Sequence, residues 1–276
     1  MAQTTTTDTV KIIEKRVSEI VTETLIQNSV MLGAVKDFTA QVGEGMDRLD
    51  VPLFAELAVQ DVSESVAMTP QSIVVNTAEL ALNRHKAIPF SISDRASIQS
   101  KAMLVSETVK NGAKSLAAEI DNYLLGIINS AAAEREALTA NALEDIAKAK
   151  QILDSQNCPK AGRYLVASPE FIFALLKNNG IVDADKFGSS EPKQAGYISR
   201  VYGFTILESN SASIVDGGFH AFCMDAVGFA RQIAPKFENQ RQVLKQANDY
   251  SLAHLYGGIN LDPAGLRMCV FDADGV

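Results

Sequence analysis

Few residues in this 276-residue sequence are of types that commonly do chemistry. The candidates are the thiols Cys158, Cys223 and Cys269, the imidazoles His85, His220 and His254, the aspartate pairs Asp183/Asp185 and Asp272/Asp274, and the S-x-x-K motif Ser190–Lys193. Zinc sites and redox dithiols need cysteines or histidines at short, regular spacing, and none of these residues has it. Two of the cysteines, Cys223 and Cys269, lie in apolar runs, which predicts ordinary buried thiols.

The S-x-x-K motif could activate its serine only if a helix brought the lysine round by one turn. Pro192 lies inside the motif and is incompatible with a helix interior, so the motif is predicted to be a surface loop. The aspartate pairs lack the full spacing of a calcium loop and are predicted to be solvated turns. No histidine has a specific serine, cysteine or carboxylate neighbour, which predicts ordinary packing or solvation. We therefore expect no catalytic residue, no cofactor, no metal site and no enzymatic activity.

Composition limits the class of protein further. The chain is 47% hydrophobic and 21% charged, enough to bury the core of one or two domains. It contains no run of roughly 18 apolar residues and begins with a polar segment, which argues against membrane insertion and a signal peptide. We therefore expect synthesis in the cytosol. A net charge of −8 disfavours a high-affinity nucleic-acid site and leaves only loose contact with nucleic acid.

The elements that would position these residues are organised around a long helix predicted from Ser93 to about Ala133. Ser93 and Asp94 can cap its start, and apolar residues then recur at steps of three and four along one stripe. A helix of roughly 40 residues would be about 60 Å long, which is typical of a structural spine. The alternative is two helices broken near Asn111 and Gly112.

The segment at the amino terminus predicts an amphipathic helix from Asp8 to about Gln27. Val10, Ile13 and Val17 lie on its apolar face. Such a helix could pack on its own domain or lie as an arm on a neighbouring subunit, and the residues leave both possibilities open.

Two runs, at 49–59 and 73–92, alternate apolar and polar residues as half-buried strands do. Pro52 and Pro89 are typical of edge strands, where a missing N–H is tolerated. The turn-forming segment 61–70 joins the runs, so we predict a long β-hairpin. An isolated hairpin is marginally stable, so this one is expected to lie on a partner subunit.

The rest of the chain predicts a mixture of helices and strands. After residue 137 come a capped helix at Asn141–Glu144, a buried strand at Arg163–Ala167, a helix capped by Ser168, a polar loop at 183–199 and a strand at 201–207. After residue 219 come short strands at 220–224 and 226–233, a polar stretch at 235–248, and strands at 249–260 and 266–271. We expect this last part to return beside the long helix.

Four segments together resemble the major capsid proteins of tailed bacteriophages. They are Arg163–Lys177, Gly196–Asn210, Ala226–Ile233 and Leu255–Pro263, and the resemblance spans roughly Ser93 to Pro263. Their order and spacing carry it, since no single motif is diagnostic. The resemblance implies an α+β protein with the Hong Kong 97-like shell fold. In this plan residues 1–35 are the N-terminal arm, 36–92 the E-loop hairpin, 93–137 and 226–276 the peripheral domain with its spine helix, and 138–225 the axial domain.

The implied function is that of a major capsid protein, assembling with itself as hexamers and pentamers into an icosahedral head around double-stranded DNA. The inter-subunit contacts are expected at Val10, Ile13 and Val17 of the arm and at Val62, Glu64, Val66, Met68 and Pro70 of the hairpin. A separate scaffolding protein and a portal are possible partners, contact with packaged DNA is non-specific, and no membrane is involved. The protein would be made in the host cytoplasm and reside in the virion. The alternatives are an encapsulin-like cellular compartment and a cytosolic enzyme.

A covalent cross-link between hairpins is not expected. Some members of the resembled family join a hairpin lysine to an asparagine of the next subunit. Lys86 is the only lysine between Asp37 and Lys101, and it lies near the predicted base of the hairpin.

Overall fold

The computed structural model describes residues 6–43, 45–54, 57–62, 70–73, 75–99, 104–177, 200–214 and 217–273, with side chains from residue 14 onward except that of residue 99. The described helices are α1 (Thr6–Asn28), α2 (Asp94–Gln99), α3 (Leu104–Ala131), α4 (Ala142–Ser155) and α5 (Pro169–Lys177). The described strands are β1 (Lys36–Asp37), β2 (Arg48–Phe54), β3 (Val75–Ala81), β4 (Arg84–Ser93), β5 (Glu134–Ala137), β6 (Arg163–Ala167), β7 (Arg200–Val201), β8 (Phe204–Glu208), β9 (Phe219–Cys223), β10 (Val227–Gln242), β11 (Ala247–Asn260) and β12 (Met268–Asp272). No described helix is both long enough and apolar enough to cross a membrane.

Helix α3 is the centre of the largest core. Its predicted apolar stripe is buried from Val109 to Leu124, with Ile120 and Leu124 fully inaccessible to solvent. Ile98, predicted to lie on the same stripe, is in α2 and is 84% exposed. The helix passes through Gly112 without interruption, so the alternative break near that residue is wrong. A Cβ at Gly112 would lie 3.3 Å from Leu252 of β11, so the glycine allows the sheet to approach the helix closely. Ser93 was predicted to cap the long helix, and it accepts a hydrogen bond from the Ala96 N–H at 3.3 Å at the start of the short helix α2. Residues 100–103, between α2 and α3, lie outside the described residues.

A four-stranded sheet, in the order β1-β10-β11-β4, packs on α3. The stretch 235–248 is polar, as predicted, but no strand was predicted there, whereas β10 and β11 form one long antiparallel hairpin through this region. Its outer half is half-exposed, so polar side chains are tolerated while backbone pairing and a stack of Phe237, Tyr250 and Phe90 hold the three strands together.

Strand β4 was assigned to the wrong sheet by the sequence pattern. It pairs along its length with β11, from Arg84 opposite Tyr256 to Ser93 opposite Ala247, and takes no part in the predicted hairpin. The reason is that its alternating side chains Ile88 and Phe90 pack against the core of α3. The predicted hairpin therefore consists of β2 and β3 alone. Pro52 and Pro89 do lie on edge strands, as predicted.

A six-stranded sheet, in the order β5-β12-β9-β6-β8-β7, forms the other half of the molecule. Val166, Phe222 and Val270 on one face pack in the α3 core, whereas Leu165, Phe219 and Phe271 on the other face pack with α4 and α5. Strands β5 and β12 come from segments 93–137 and 226–276, yet they lie in the sheet built mainly by residues 138–225. The two halves of the fold therefore share strands as well as a core.

The predicted caps of α4 and α5 are present. Asn141 accepts the Leu143 N–H at 3.3 Å, while its side-chain amide donates to Glu144 at 2.9 Å. Ser168 accepts the Phe171 N–H at 3.3 Å at the start of α5.

Candidate assembly interface

Among the described residues, the β2–β3 hairpin contacts the body of the protein at its base. Val51, Leu80 and Leu82 form a small core there with Phe38, Ala230 and Leu261. The Leu82 N–H donates to the Asp47 carbonyl at 2.9 Å, and the Gln232 amide donates to the Met46 carbonyl at 2.6 Å. The base therefore has a defined position on the four-stranded sheet.

Beyond the base, the hairpin presents apolar side chains to solvent. This exposed hairpin surface consists of Phe54, Leu57, Val59, Val62, Ile73 and Val75, and their exposed fractions run from 47% at Val75 to 98% at Val59. Single exposed apolar side chains are ordinary, but several on one element are a common feature of interaction surfaces.

Gln71 holds the two sides of the hairpin together beyond the end of the paired strands. Its amide donates to the Ala58 carbonyl at 2.6 Å and its carbonyl accepts the Ala58 N–H at 3.0 Å, so one side chain reproduces a pair of strand hydrogen bonds. This role was not predicted, because the partner of a lone glutamine cannot be recognised from spacing.

The predicted contact residues are placed as follows. Val62 is 75% exposed and Pro70 is exposed on the hairpin, whereas Glu64, Val66 and Met68 lie outside the described residues. Val10 and Ile13 belong to helix α1, but the structure describes only their backbone and not their side chains. Val17 is half-buried and packs against the core of its own chain.

Helix α1 is fixed to α3 through a buried carboxylate. Asp121 accepts hydrogen bonds from the Ser29 hydroxyl at 2.5 Å, the Val30 N–H at 2.9 Å and the Met31 N–H at 3.0 Å. Burial raises the pKa of the Asp121 carboxyl, and these hydrogen bonds oppose that rise. Acidic side chains of an amphipathic helix are expected to face away from its apolar stripe, but Asp121 does not. It is 5% exposed because the end of α1 supplies it with donors. The sequence feature that could have indicated a buried carboxylate is its position directly after Ile120 on the apolar side of the helix.

Two further exposed apolar groups were not anticipated. Val243 and Leu244 at the tip of the β10–β11 hairpin are 66% and 100% exposed. On the outer side of α1, Ile20 and Ile26 are about half exposed at 45% and 49%.

The chemically competent residues lie away from these surfaces. His220 and His254 are buried and Cys223 and Cys269 are buried thiols, as predicted for the cysteines. Burial lowers the pKa of both buried histidines to about 4, assisted by Arg135 at His220 and by Arg231 at His254. Asp272 was predicted to be a solvated turn residue, but it is buried in β12 and paired with Arg135 at 3.7 Å. Asp274, the pair Asp183 and Asp185, and the S-x-x-K motif fall outside the described residues.

Lys86, the hairpin lysine considered for cross-linking, lies on β4 rather than on the hairpin. Its ammonium group pairs with Glu119 of α3 at 2.5 Å. Within the described part of the chain, no three histidine, cysteine or acidic side chains are arranged to hold a metal ion.

Known proteins of similar sequence and structure are phage capsid proteins and related shells. Residues 78–268 match a family model described as phage capsid protein. A structure from Mycobacterium phage Che8 is similar, with a TM-score of 0.76 at 24% identity over 90% of this chain and 92% of that one. The capsid of cyanophage P-SCSP1u has a TM-score of 0.69 at 17% identity over 86% of each chain. A virus-like particle from Pyrococcus furiosus has a TM-score of 0.62 at 11% identity over 94% of this chain and 99% of that one. A search of curated proteins finds no match.

Proposed function

The chain belongs to the phage capsid protein family and is a major capsid protein of the head shell, and from that premise we propose that it assembles by laying its exposed hairpin surface on a neighbouring copy. Its fold is the Hong Kong 97-like α+β fold that the sequence predicts. In the proposed assembly, hexamers and pentamers of this chain close into an icosahedral shell around double-stranded DNA.

The observation that carries the proposal is the apolar character of a hairpin with little core of its own. Val59 and Val62 are 98% and 75% exposed, so nearly all of their side-chain surface is available to a partner. Burying one such side chain contributes roughly 1.5–3 kcal/mol. Each contact is modest, but closed symmetry repeats it in every subunit.

Each segment of the chain is proposed to form a distinct part of the assembled subunit. We assign residues 1–35 to the arm, 36–92 to the E-loop region, 93–137 and 226–276 to the peripheral domain and 138–225 to the axial domain. The pairing of β4 with β11 supports limiting the extended part to the β2–β3 hairpin. The sharing of β5 and β12 supports a rigid connection between the peripheral and axial parts.

The arm would contribute a second contact between subunits. Val17 packs on its own chain, so the proposed inter-subunit contact of the arm falls on Val10 and Ile13 and on the outward-facing Ile20 and Ile26. For the hairpin it falls on Val62, Glu64, Val66, Met68 and Pro70 together with the exposed hairpin surface.

We also propose further partners for the assembled shell, namely packaged DNA, a scaffolding protein and a portal. Contact with packaged DNA would be non-specific, through scattered lysine and arginine side chains, because a chain of net charge −8 has no excess of basic residues. A separate scaffolding protein and a portal are the proposed assembly partners. The protein acts through interface area and not as an enzyme, and it would be made in the host cytoplasm.

Deletion of residues 62–71 tests the hairpin contact. Because the deleted segment lies beyond the base core of Val51, Leu80 and Leu82, the variant is expected to fold as a soluble subunit and to fail in assembly, as measured by light scattering. The exchange Ala147→Ser, at an exposed position on α4, serves as the control and should assemble normally. Normal particles from the deletion variant would refute the proposed role of the hairpin.

The contents of purified particles distinguish the phage head from a cellular compartment of the same fold. Nuclease-resistant DNA inside the particle is expected for a phage head. A co-purifying cargo enzyme in place of a genome would instead identify an encapsulin-like shell.

A further inference from the structure

The three cysteines of the chain are far apart in sequence but come together in one core. Cys158, Cys223 and Cys269 are all buried, and all belong to the cluster between the six-stranded sheet and helices α4 and α5. Their meeting could not be recognised from their spacing.

Strand register explains why two of these thiols are neighbours. Cys269 of β12 is paired with Ala221 of β9, and Cys223 lies two residues further along β9. Side chains two residues apart on a strand point to the same face of the sheet. Cys223 and Cys269 are therefore diagonal neighbours on the face that α4 covers.

Cys158 reaches the same place from the turn that follows α4. Its neighbour Pro159 contacts Cys223, whose Sγ lies 3.9 Å from the Pro159 carbonyl oxygen, and the two thiols are close enough to influence each other's pKa. Cys158 and Cys223 are therefore neighbours in the folded chain, and Cys269 belongs to the same core.

The turn that carries Cys158 is fixed against β9. The buried guanidinium of Arg163 donates to the Cys158 carbonyl at 2.7 Å, the Pro159 carbonyl at 2.8 Å and the Asp154 carboxylate at 2.7 Å. The Met224 N–H donates to the Gly162 carbonyl at 2.8 Å. These bonds hold the two thiols in register.

We propose that Cys158 and Cys223 are a latent dithiol that closes into an intrachain disulfide when the protein meets a low-molecular-weight disulfide. The described residues offer no metal-binding group at this position, so covalent pairing is the chemistry that two adjacent thiols can perform. The closed bond would tie the end of α4 to the end of β9 inside one subunit. This inference does not depend on assembly.

The reaction is two successive thiol–disulfide exchanges. Deprotonated Cys158 attacks one sulfur of the reagent and breaks its S–S bond. One reagent thiolate is released, and the other half of the reagent forms a mixed disulfide with Cys158. Deprotonated Cys223 then attacks the Cys158 sulfur and releases the second reagent thiolate. The two protein thiols lose two electrons to the reagent, and their two protons are taken up by the two reagent thiolates.

Burial makes the closure slow at neutral pH. It raises the pKa of the Cys223 thiol to about 12 and also raises the pKa of Cys158, so little of either thiol is deprotonated. Far below its pKa, a thiol gains about tenfold in thiolate for each unit of pH, and the rate of closure should rise accordingly. The site is therefore inert in a reducing cytosol and reactive only during long exposure to oxidising, mildly alkaline surroundings.

Intact-mass measurement tests the proposal on the full chain. The protein is incubated with oxidised glutathione at pH 8.5, denatured, and treated with N-ethylmaleimide, which labels each remaining thiol. Before oxidation three thiols should be labelled, matching the three free cysteines. After oxidation one label is expected on a chain about 2 Da lighter, and peptide mapping should join Cys158 to Cys223.

Two matched variants separate this pair from the third thiol. Cys269→Ala should go from two labels to none, whereas Cys223→Ala should keep both of its thiols free of a disulfide. Cys158→Ala provides the same test as Cys223→Ala if either variant folds poorly. Oxidation should also raise the thermal midpoint of the wild type and of Cys269→Ala by several degrees and leave Cys223→Ala unchanged.

Three results would overturn the proposal. These are three labels on the wild type after prolonged oxidation, a stable glutathione adduct with no internal disulfide, or a disulfide that involves Cys269 or a second chain.

Discussion

Helix α3 and the β2–β3 hairpin carry similar apolar side chains, but those of the helix are buried and those of the hairpin are exposed. Ile120, Leu124 and Ile128 of α3 are completely buried by sheets of the same chain. Val59 and Val62 of the hairpin are 98% and 75% exposed, although they are as apolar as the residues of the helix. The helix completes its burial within one subunit, whereas in the proposed assembly the hairpin completes it against a neighbouring subunit.

In the proposed assembly, this difference separates the residues that stabilise the subunit from those that stabilise the particle. Large losses in the free energy of unfolding should come from the buried region, and losses of assembly without unfolding should come from the hairpin. Each of the following changes affects one side of that comparison.

Acid should weaken the buried region more than any single substitution. His220 and His254 have pKa values near 4 in the folded chain against 6.5 ordinarily, so the unfolded chain binds more protons between these values. Stability is therefore fully present above pH 6.5 and is lost as the pH falls towards 4, by on the order of 2–3 kcal/mol for each histidine. Urea unfolding of subunits at several pH values measures this slope.

The exchange His254→Phe provides the matched variant for the acid effect. It keeps an aromatic ring beside Tyr256, where the present ring centroids are 5.0 Å apart, but removes the titrating group. The pH slope should fall by about half. An unchanged slope in His254→Phe would show that this histidine is not the source.

Leu124→Ala should destabilise the subunit by about 3 kcal/mol, because Leu124 is fully buried and its truncation leaves a cavity against the sheet. The loss should appear in the urea midpoint of unassembled subunits. A loss below about 1 kcal/mol would mean that the α3 core repacks easily and that the contrast with the hairpin is overstated.

Gly257→Ala should cost about 2 kcal/mol, since a Cβ there would overlap the backbone carbonyl of Ala81 at the hairpin base. Gly33→Ala is the control, because no atom lies within 4 Å of a Cβ at that position. Thermal unfolding of the two variants compares them directly. Equal stability would contradict close packing of the hairpin base on β11.

Val59→Ser should change the free energy of unfolding by no more than about 0.5 kcal/mol, because Val59 is 98% exposed in the subunit. It should nevertheless raise the protein concentration needed for assembly. Val51→Ser at the buried hairpin base is the counterpart and should instead lower subunit stability. A Val59→Ser variant that unfolds easily but assembles normally would reverse the comparison.

The sequence predicts the elements whose burial is local and periodic. The stripe of α3, the buried strand at Arg163–Ala167 and the serine cap of α5 were all predicted correctly, because each depends on neighbours within a few residues. The edge positions of Pro52 and Pro89 follow equally from local chemistry.

Long-range pairing was the part that the sequence could not supply. Strand β4 alternates equally well as a hairpin strand or as a partner of β11, and only the α3 core selects the second arrangement. The outer half of β10–β11 carries polar residues and has no apolar period to reveal it. Asp121, Gln71 and the Cys158–Cys223 pair act through partners that are distant along the chain or lack any motif.

Cryo-electron microscopy of the purified, assembled protein tests the central claim most directly. The proposal predicts closed shells in which Phe54, Val59 and Val62 of each hairpin are buried against a neighbouring subunit, while α3 keeps its contacts within its own chain. Shells in which those hairpin side chains remain exposed to solvent, or a protein that stays monomeric at high concentration, would contradict it.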